Sequence, residues 1–253
     1  MNLLIGLLTP FIGTTIGSAT VFLMKNSINK TLEKLLLKFA SGVMLAASIW
    51  SLLLPSIEMA NNQNIISWIP ASVGFLLGIF FLLFLDFIIP NLNKEHELHN
   101  KLSKSKKFVL AITLHNIPEG MAVGVSFAGA LAKNSSITLA AAFALSLGIA
   151  IQNLPEGAII SMPLKKEYSK TKSFIIGTLS GIVEPLFAII TILLTNLVVP
   201  ILPYLLSFAS GTMIYVIVEE LIPEAKKQSQ NNLSIIGLSF GFILTMILDI
   251  TLG

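Results

Sequence analysis

Eight apolar runs, each close to the ~20 residues a helix needs to cross a bilayer core, take up almost the whole chain. They cover about 3–24, 35–57, 66–89, 108–131, 136–161, 173–196, 200–222 and 233–252. Within lipid a backbone must satisfy its own hydrogen bonds, so runs of this length are expected to be helices. The predicted fold is an all-α polytopic membrane protein with eight transmembrane helices forming a single domain, 1–253. Composition supports this at the point that matters: 11% of residues are charged, against about a quarter in soluble proteins. The one sizeable polar stretch is the third loop, about 90–107.

The placement of charge is lopsided. All sixteen basic residues are Lys. Lys25, Lys30, Lys34 and Lys38 flank the first loop, and Lys94, Lys101, Lys104, Lys106 and Lys107 lie around the third. Lys165, Lys166, Lys170 and Lys172 fill the fifth, and Lys226 and Lys227 the seventh, leaving only Lys133 on the opposite side. Cytoplasmic loops collect Lys, so the odd-numbered loops are assigned to the cytoplasm and both termini to the outside. The basic balance therefore reports membrane orientation and gives no reason to expect a nucleic-acid partner. The first run has neither a basic leader nor a small-residue cleavage site and is expected to be a retained helix. With no cysteine in the chain, disulfides and thiolate ligation are excluded.

The order of the runs contains an internal copy. Phe39-Ala40-Ser41-Gly42 in the second run recurs as Phe208-Ala209-Ser210-Gly211 in the seventh. Leu54-Pro55 is echoed by Ile222-Pro223, Leu85-Asp86 by Leu248-Asp249, and more weakly Gly6 by Gly177. Runs 1–3, about 1–89, thus look like a distant copy of runs 6–8, about 173–253, around a central pair at 108–161. An offset of five runs is odd, so the second copy enters the membrane from the other side. The expectation is a 3+2+3 inverted repeat, an arrangement common among secondary transporters with midplane sites. The Phe-Ala-Ser-Gly segments are read as close-packing surfaces, and no run shows a decisive Gly-x-x-x-Gly seam for a partner.

The central pair carries a repeated motif. His115-Asn116-Ile117-Pro118-Glu119-Gly120 is matched by Gln152-Asn153-Leu154-Pro155-Glu156-Gly157. His115 and Glu119, like Gln152 and Glu156, are i and i+4 and share a helix face. Pro118 and Pro155 cannot donate to the carbonyls of Leu114 and Ile151, so both helices are expected to kink. Glu184, in Ser180-Gly181-Ile182-Val183-Glu184-Pro185, adds a third acid inside an apolar run. No Lys lies mid-run and the chain has no Arg, so these acids are either protonated or neutralised by a bound cation. The clustering of acids on motif helices favours the cation. Glu119, Glu156 and Glu184 with His115, Asn116, Gln152 and Asn153 suffice for two divalent ions, and a single ion with spare ligands fits equally. Imidazole, amide and carboxylate donors suit Zn²⁺, Fe²⁺, Mn²⁺ or Cd²⁺ rather than Cu(I).

With these motifs the chain resembles the ZIP (Zrt/Irt-like) family of divalent metal transporters, in its bacterial branch. The resemblance covers essentially the whole length, and its most specific marks are the paired His/Gln-Asn-x-Pro-Glu-Gly motifs and the Ser-Gly-x-x-Glu-Pro pattern. It implies a transporter rather than an enzyme, a multi-pass protein of the bacterial inner membrane that takes Zn²⁺ into the cytoplasm by alternating access and pairs as a homodimer. It further implies a binuclear centre, with one ion on His115, Glu119, Gln152 and Glu156. The second ion falls to Asn116, Glu119, Asn153, Glu156 and Glu184, and the motif glutamates bridge the two. Many members have His where this chain has Gln152, which weakens nitrogen ligation and opens the site to Cd²⁺, Fe²⁺ and Mn²⁺. No catalytic cofactor is implied. The family's third loop senses metal, a role for which His96 and His99 are the candidates here.

Topology distributes the remaining acids. Glu58 and Asp249 end runs on the outside, where they would draw cations inward. Asp86, Glu219, Glu220 and Glu224 end runs on the cytoplasmic side, where they would form an exit relay. Met44 and Met213, which follow the repeated Phe-Ala-Ser-Gly, are read as core packing, with Met44 close enough to brush a soft ion. Two rival readings are a metal-selective channel with the same ligands, marked by linear flux, and an intramembrane metalloenzyme. The second is weakened because His115-Asn116-x-x-Glu119 lacks the second His of a zinc hydrolase helix.

Overall fold

A computed structural model of the chain describes residues 3–23, 30–95, 104–132, 137–165, 167–194, 199–221 and 233–252. The helices are α1 (Leu3–Leu23), α2 (Lys30–Ala47), α3 (Leu54–Asn62), α4 (Trp68–Glu95), α5 (Lys104–Leu131) and α6 (Leu139–Leu164). They continue with α7 (Lys170–Ser180), α8 (Val183–Leu193), α9 (Leu202–Val216) and α10 (Leu233–Leu252). Two π-helical segments, Ser48–Leu53 and Ile217–Leu221, and a 3-10 turn at Val199–Ile201 complete the described residues, which include no strand. Among the described residues, six stretches are long and apolar enough to cross a membrane: Leu3–Leu23, Leu35–Asn62, Leu139–Leu164, Lys170–Leu193, Leu202–Glu219 and Ile235–Leu252. Trp68–Phe84 is a shorter apolar helix, and α5 falls outside the set. α4 and α5 reach to Glu95 and from Lys104, so the third loop is shorter than the polar stretch 90–107 suggested.

Apolar side chains cover the outside as well as the core. Leu76, Leu77, Phe80 and Phe84 on α4 and Ile236, Phe240, Ile243 and Ile247 on α10 are exposed, as a lipid-facing surface requires. Inside, the helices form two groups. α1 runs along α6 and α5 along α8, while α2 packs on α10 and α9 on α4. The groups meet where α2 and α10 touch α6 and where α9 touches α5.

Glycines bring these crossings to backbone contact. A Cβ on Gly241 would collide with the carbonyl of Phe39, and one on Gly78 with that of Phe208, the counterpart of Phe39. Likewise Gly42 faces the backbone of Leu238 and Phe242, and its counterpart Gly211 faces that of Phe75. Gly237 lies against Leu35 and Lys38, whereas Gly74 lies against Tyr204 and Ser207. All these pairs keep one register between the copies. Glycine pairs at the four-residue spacing are used within the chain. Gly13 and Gly17, Gly74 and Gly78, Gly120 and Gly124, Gly177 and Gly181, and Gly237 and Gly241 all have the four-residue spacing, and each pair seats against another helix of the same chain.

The helix assignment continues through both motif prolines, and the breaks fall elsewhere. α5 and α6 run as uninterrupted α-helix through Pro118 and Pro155. The interruptions are the two π segments, which begin at the same distance beyond Phe39 and Phe208, and the turn at Gly181-Ile182 between α7 and α8. At the first π segment the copies differ. Ser210 Oγ donates across to the Ser48 carbonyl at 2.8 Å, whereas its counterpart Ser41 donates to Leu37 of its own helix at 2.8 Å. Lys38, placed by sequence at a loop margin, is buried within α2.

Candidate metal centre

The turn before Glu184 follows from two residues. Pro185 has no N–H to offer the carbonyl of Gly181, and that carbonyl accepts from Glu184 N at 3.0 Å instead. The Ser180 carbonyl is thereby left without its usual helical donor, and Asn116 Nδ2 donates to it at 3.1 Å. The second motif repeats the arrangement on α1, where Asn153 Nδ2 donates to the carbonyl of Pro10 at 3.5 Å. Each motif asparagine thus spends its N–H on the first helix of one copy and turns its Oδ1 elsewhere.

The carboxylates are tied to these amides. Gln152 Nε2 donates to Glu119 Oε1 at 2.5 Å, and the Asn153 amide faces both Glu119 and Glu184. Thr14 Oγ1 donates to Glu184 Oε1 at 2.9 Å. Glu156 is half-buried and near enough to repel both other carboxylates. Asn116, Glu119, Gln152, Asn153 and Glu184 are all at most 2% exposed. Each retains a buried oxygen without a hydrogen-bond partner: Asn116 Oδ1, Glu119 Oε2, Gln152 Oε1, Asn153 Oδ1 and Glu184 Oε2. A buried acceptor left unpaired costs about 1–3 kcal/mol. Five in one connected set make a strongly electron-rich interior that a divalent cation would satisfy. Among the described residues no three His, Cys, Asp or Glu side chains gather closely enough to hold a metal by themselves; the donors that converge are carboxylates interleaved with amides.

The side chain of His115 lies outside the described residues, although its place on α5, one turn before Glu119, is known. The side chains of Asp86 and Glu220, and residues His96, His99 and Glu224, likewise lie outside the described residues. Glu58 on α3 and Glu219 in the second π segment are exposed. Asp249 accepts a hydrogen bond from Ser51 Oγ of the first π segment at 2.6 Å. Met44 and Met213 are both 1% exposed and belong to the hydrophobic core. Sequence reasoning missed Thr14 and Pro10: a threonine or proline in an apolar helix carries no signal until the helix against it is known.

A helical chain with an apolar exterior and an interior that gathers carboxylate and amide oxygens falls among membrane proteins that handle cations. Comparison with known proteins narrows that class. Residues 105–249 match the family described as ZIP Zinc transporter. Zinc transporter ZIP11 of Xenopus tropicalis is 36% identical, with 99% of this chain and 97% of that protein covered. Zinc transporter GufA of Myxococcus xanthus is 37% identical over 81% of each, and Zinc transporter ZIPB of Bordetella bronchiseptica is 33% identical over 96% of this chain and 79% of its own length. The chain belongs to the ZIP zinc transporter family.

Proposed function

We propose that this divalent-metal transporter moves Zn²⁺ foremost, with Cd²⁺, Fe²⁺ and Mn²⁺ as further cargoes, into the cytoplasm through a site made by His115, Asn116, Glu119, Gln152, Asn153, Glu156 and Glu184. The observation that carries this reading is the set of five buried oxygens without donors on α5, α6 and α8. Two ions side by side, bridged by Glu119 and Glu156, match the number of donors. Asn116, Asn153 and Glu184 then serve the subsite nearer α8. Gln152 presents an amide oxygen where imidazole would bind more softly, which broadens the choice of cargo.

The chain is read as eight spans in a 3+2+3 inverted repeat, a single domain in a bacterial inner membrane with both termini outside. The paired register of Gly241 on Phe39 and Gly78 on Phe208 supports it, as does the matching position of the two π segments. The close packing of α1 on α6 and α5 on α8 favours alternating access in which these helices move together with α7. α2, α4, α9 and α10 form the other body. Glu58 and Asp249 lie towards the outer mouth, and Asp86, Glu219 and Glu220 towards the cytoplasmic one. A homodimer is the assembly this reading expects.

Uptake into proteoliposomes of purified protein tests it. Wild-type flux is expected to saturate with Zn²⁺, and Glu119→Ala to fall to the level of empty vesicles. Gln152→His is expected to narrow the profile towards Zn²⁺ and Cd²⁺ at the expense of Mn²⁺. Undiminished flux in Glu119→Ala would place the pathway elsewhere, and flux linear in Zn²⁺ would make the protein a channel.

A further inference from the structure

Five threonines of the described helices donate to the carbonyl four residues back at 2.7–2.8 Å: Thr9, Thr15, Thr113, Thr191 and Thr251. Thr14 departs from this habit. Its distance to the Pro10 carbonyl is 3.5 Å, beyond the range of a good O–H···O bond, while Glu184 Oε1 lies at 2.9 Å. The hydroxyl proton is therefore committed to Glu184, a bond of the stronger charge-assisted kind once a bound cation holds that carboxylate ionised. Thr14 is 1% exposed. Three neighbours hold it in place: its carbonyl abuts Gly157 of α6, its Cβ and methyl group fill the space beside Gly181, and its hydroxyl meets Glu184.

We propose that Thr14 is a positioning residue for cargo: by fixing Glu184 Oε1 it aims Oε2, buried and without a partner, at the ion of the α8-side subsite. This rests on the metal site proposed above. The internal copy gives the assignment a second footing. Asn153 bonds to Pro10 as Asn116 bonds to Ser180, and Gly157 presses on Thr14 and Ser18 as Gly120 presses on Glu184. In that register Thr14 occupies in the first copy the position that Glu184 occupies in the second. One copy supplies a carboxylate and the other a neutral donor that orients it, so the subsite gains a ligand without a fourth negative charge.

The test is a metal-binding and uptake series on the full chain, with Zn²⁺ as probe. Thr14→Val is expected to raise KM, and the dissociation constant of the second ion in calorimetry, by about tenfold, the scale of one lost hydrogen bond to a charged group. Vmax should stay near wild type, and Thr14→Ser should restore both constants. In a Glu184→Ala background Thr14→Val should change neither, because a residue acting through Glu184 has nothing left to orient. If Thr14→Val does not reach the membrane, Thr14→Ala against Thr14→Ser makes the same comparison. Thr14→Val at wild-type constants, or Ser and Val equally impaired, would overturn the proposal. Glu119→Ala in the same series separates the two readings. If it abolishes uptake while Thr14→Val is silent, only the role of Thr14 falls; if it transports normally, the site itself falls.

Discussion

Each motif asparagine works at both ends of its amide. Asn116 and Asn153 give their N–H to the carbonyls of Ser180 and Pro10, while each keeps a buried Oδ1 without a hydrogen-bond partner. Replacing either by alanine removes a proposed ligand and frees a buried carbonyl together. Asn116→Ala, which loses the shorter of the two bonds, is expected to lower unfolding stability by about 1–3 kcal/mol, seen as a lower melting temperature in detergent. The same variant should bind Zn²⁺ more weakly, whereas a purely structural asparagine would leave affinity intact. Acids and amides stood out in the sequence because their polarity is anomalous inside apolar runs. Thr14 did not, since its polarity is ordinary there and only the crossing of α1 with α8 gives it a partner.

Helix crossings depend on glycine to differing degrees. Gly241 and Gly78 meet backbone carbonyls that cannot step aside. Alanine at either is expected to cost about 1–3 kcal/mol through overpacking, with a corresponding fall in melting temperature. Gly148 is the contrast, because a Cβ there would find its nearest neighbour, Thr245 Cγ2, at an ordinary 3.6 Å. Gly148→Ala on α6 should therefore be neutral or stabilising by about 0.5–1 kcal/mol, the helix preference of alanine over glycine. The helix breaks show where local rules stop. Pro118 and Pro155 each leave a carbonyl without its helical donor, yet α5 and α6 continue as helix through them. The Gly-x-x-Glu-Pro run at 181–185 does interrupt its helix, and that break provides the carbonyl that orients Asn116.

Taken whole, the molecule pairs its outer helices across the two copies and cradles the motif helices with the first helix of each. Orientation in the membrane can be checked directly, because the chain has no native cysteine. Asn62 and Glu167 are both exposed, and the proposed topology puts them on opposite faces of the membrane. In right-side-out vesicles a membrane-impermeant maleimide is expected to label Asn62→Cys and spare Glu167→Cys. The reverse pattern would invert the topology and with it the assignment of outer and cytoplasmic mouths.

The all-helical membrane class, the repeated segments and the anomalous polar residues inside apolar runs were legible in the sequence alone. Each depends on composition, on local periodicity or on identity between segments, and none needs contacts between distant residues. Only the tertiary structure decided which buried oxygens lack a donor, that Thr14 and Pro10 lie against Glu184 and Asn153, and that the glycine pairs serve crossings within one chain. Those properties depend on which helix lies against which and at what register. A motif cannot state that, because the partner of Asn153 is on α1 and that of Asn116 at the end of α7, each far away along the chain.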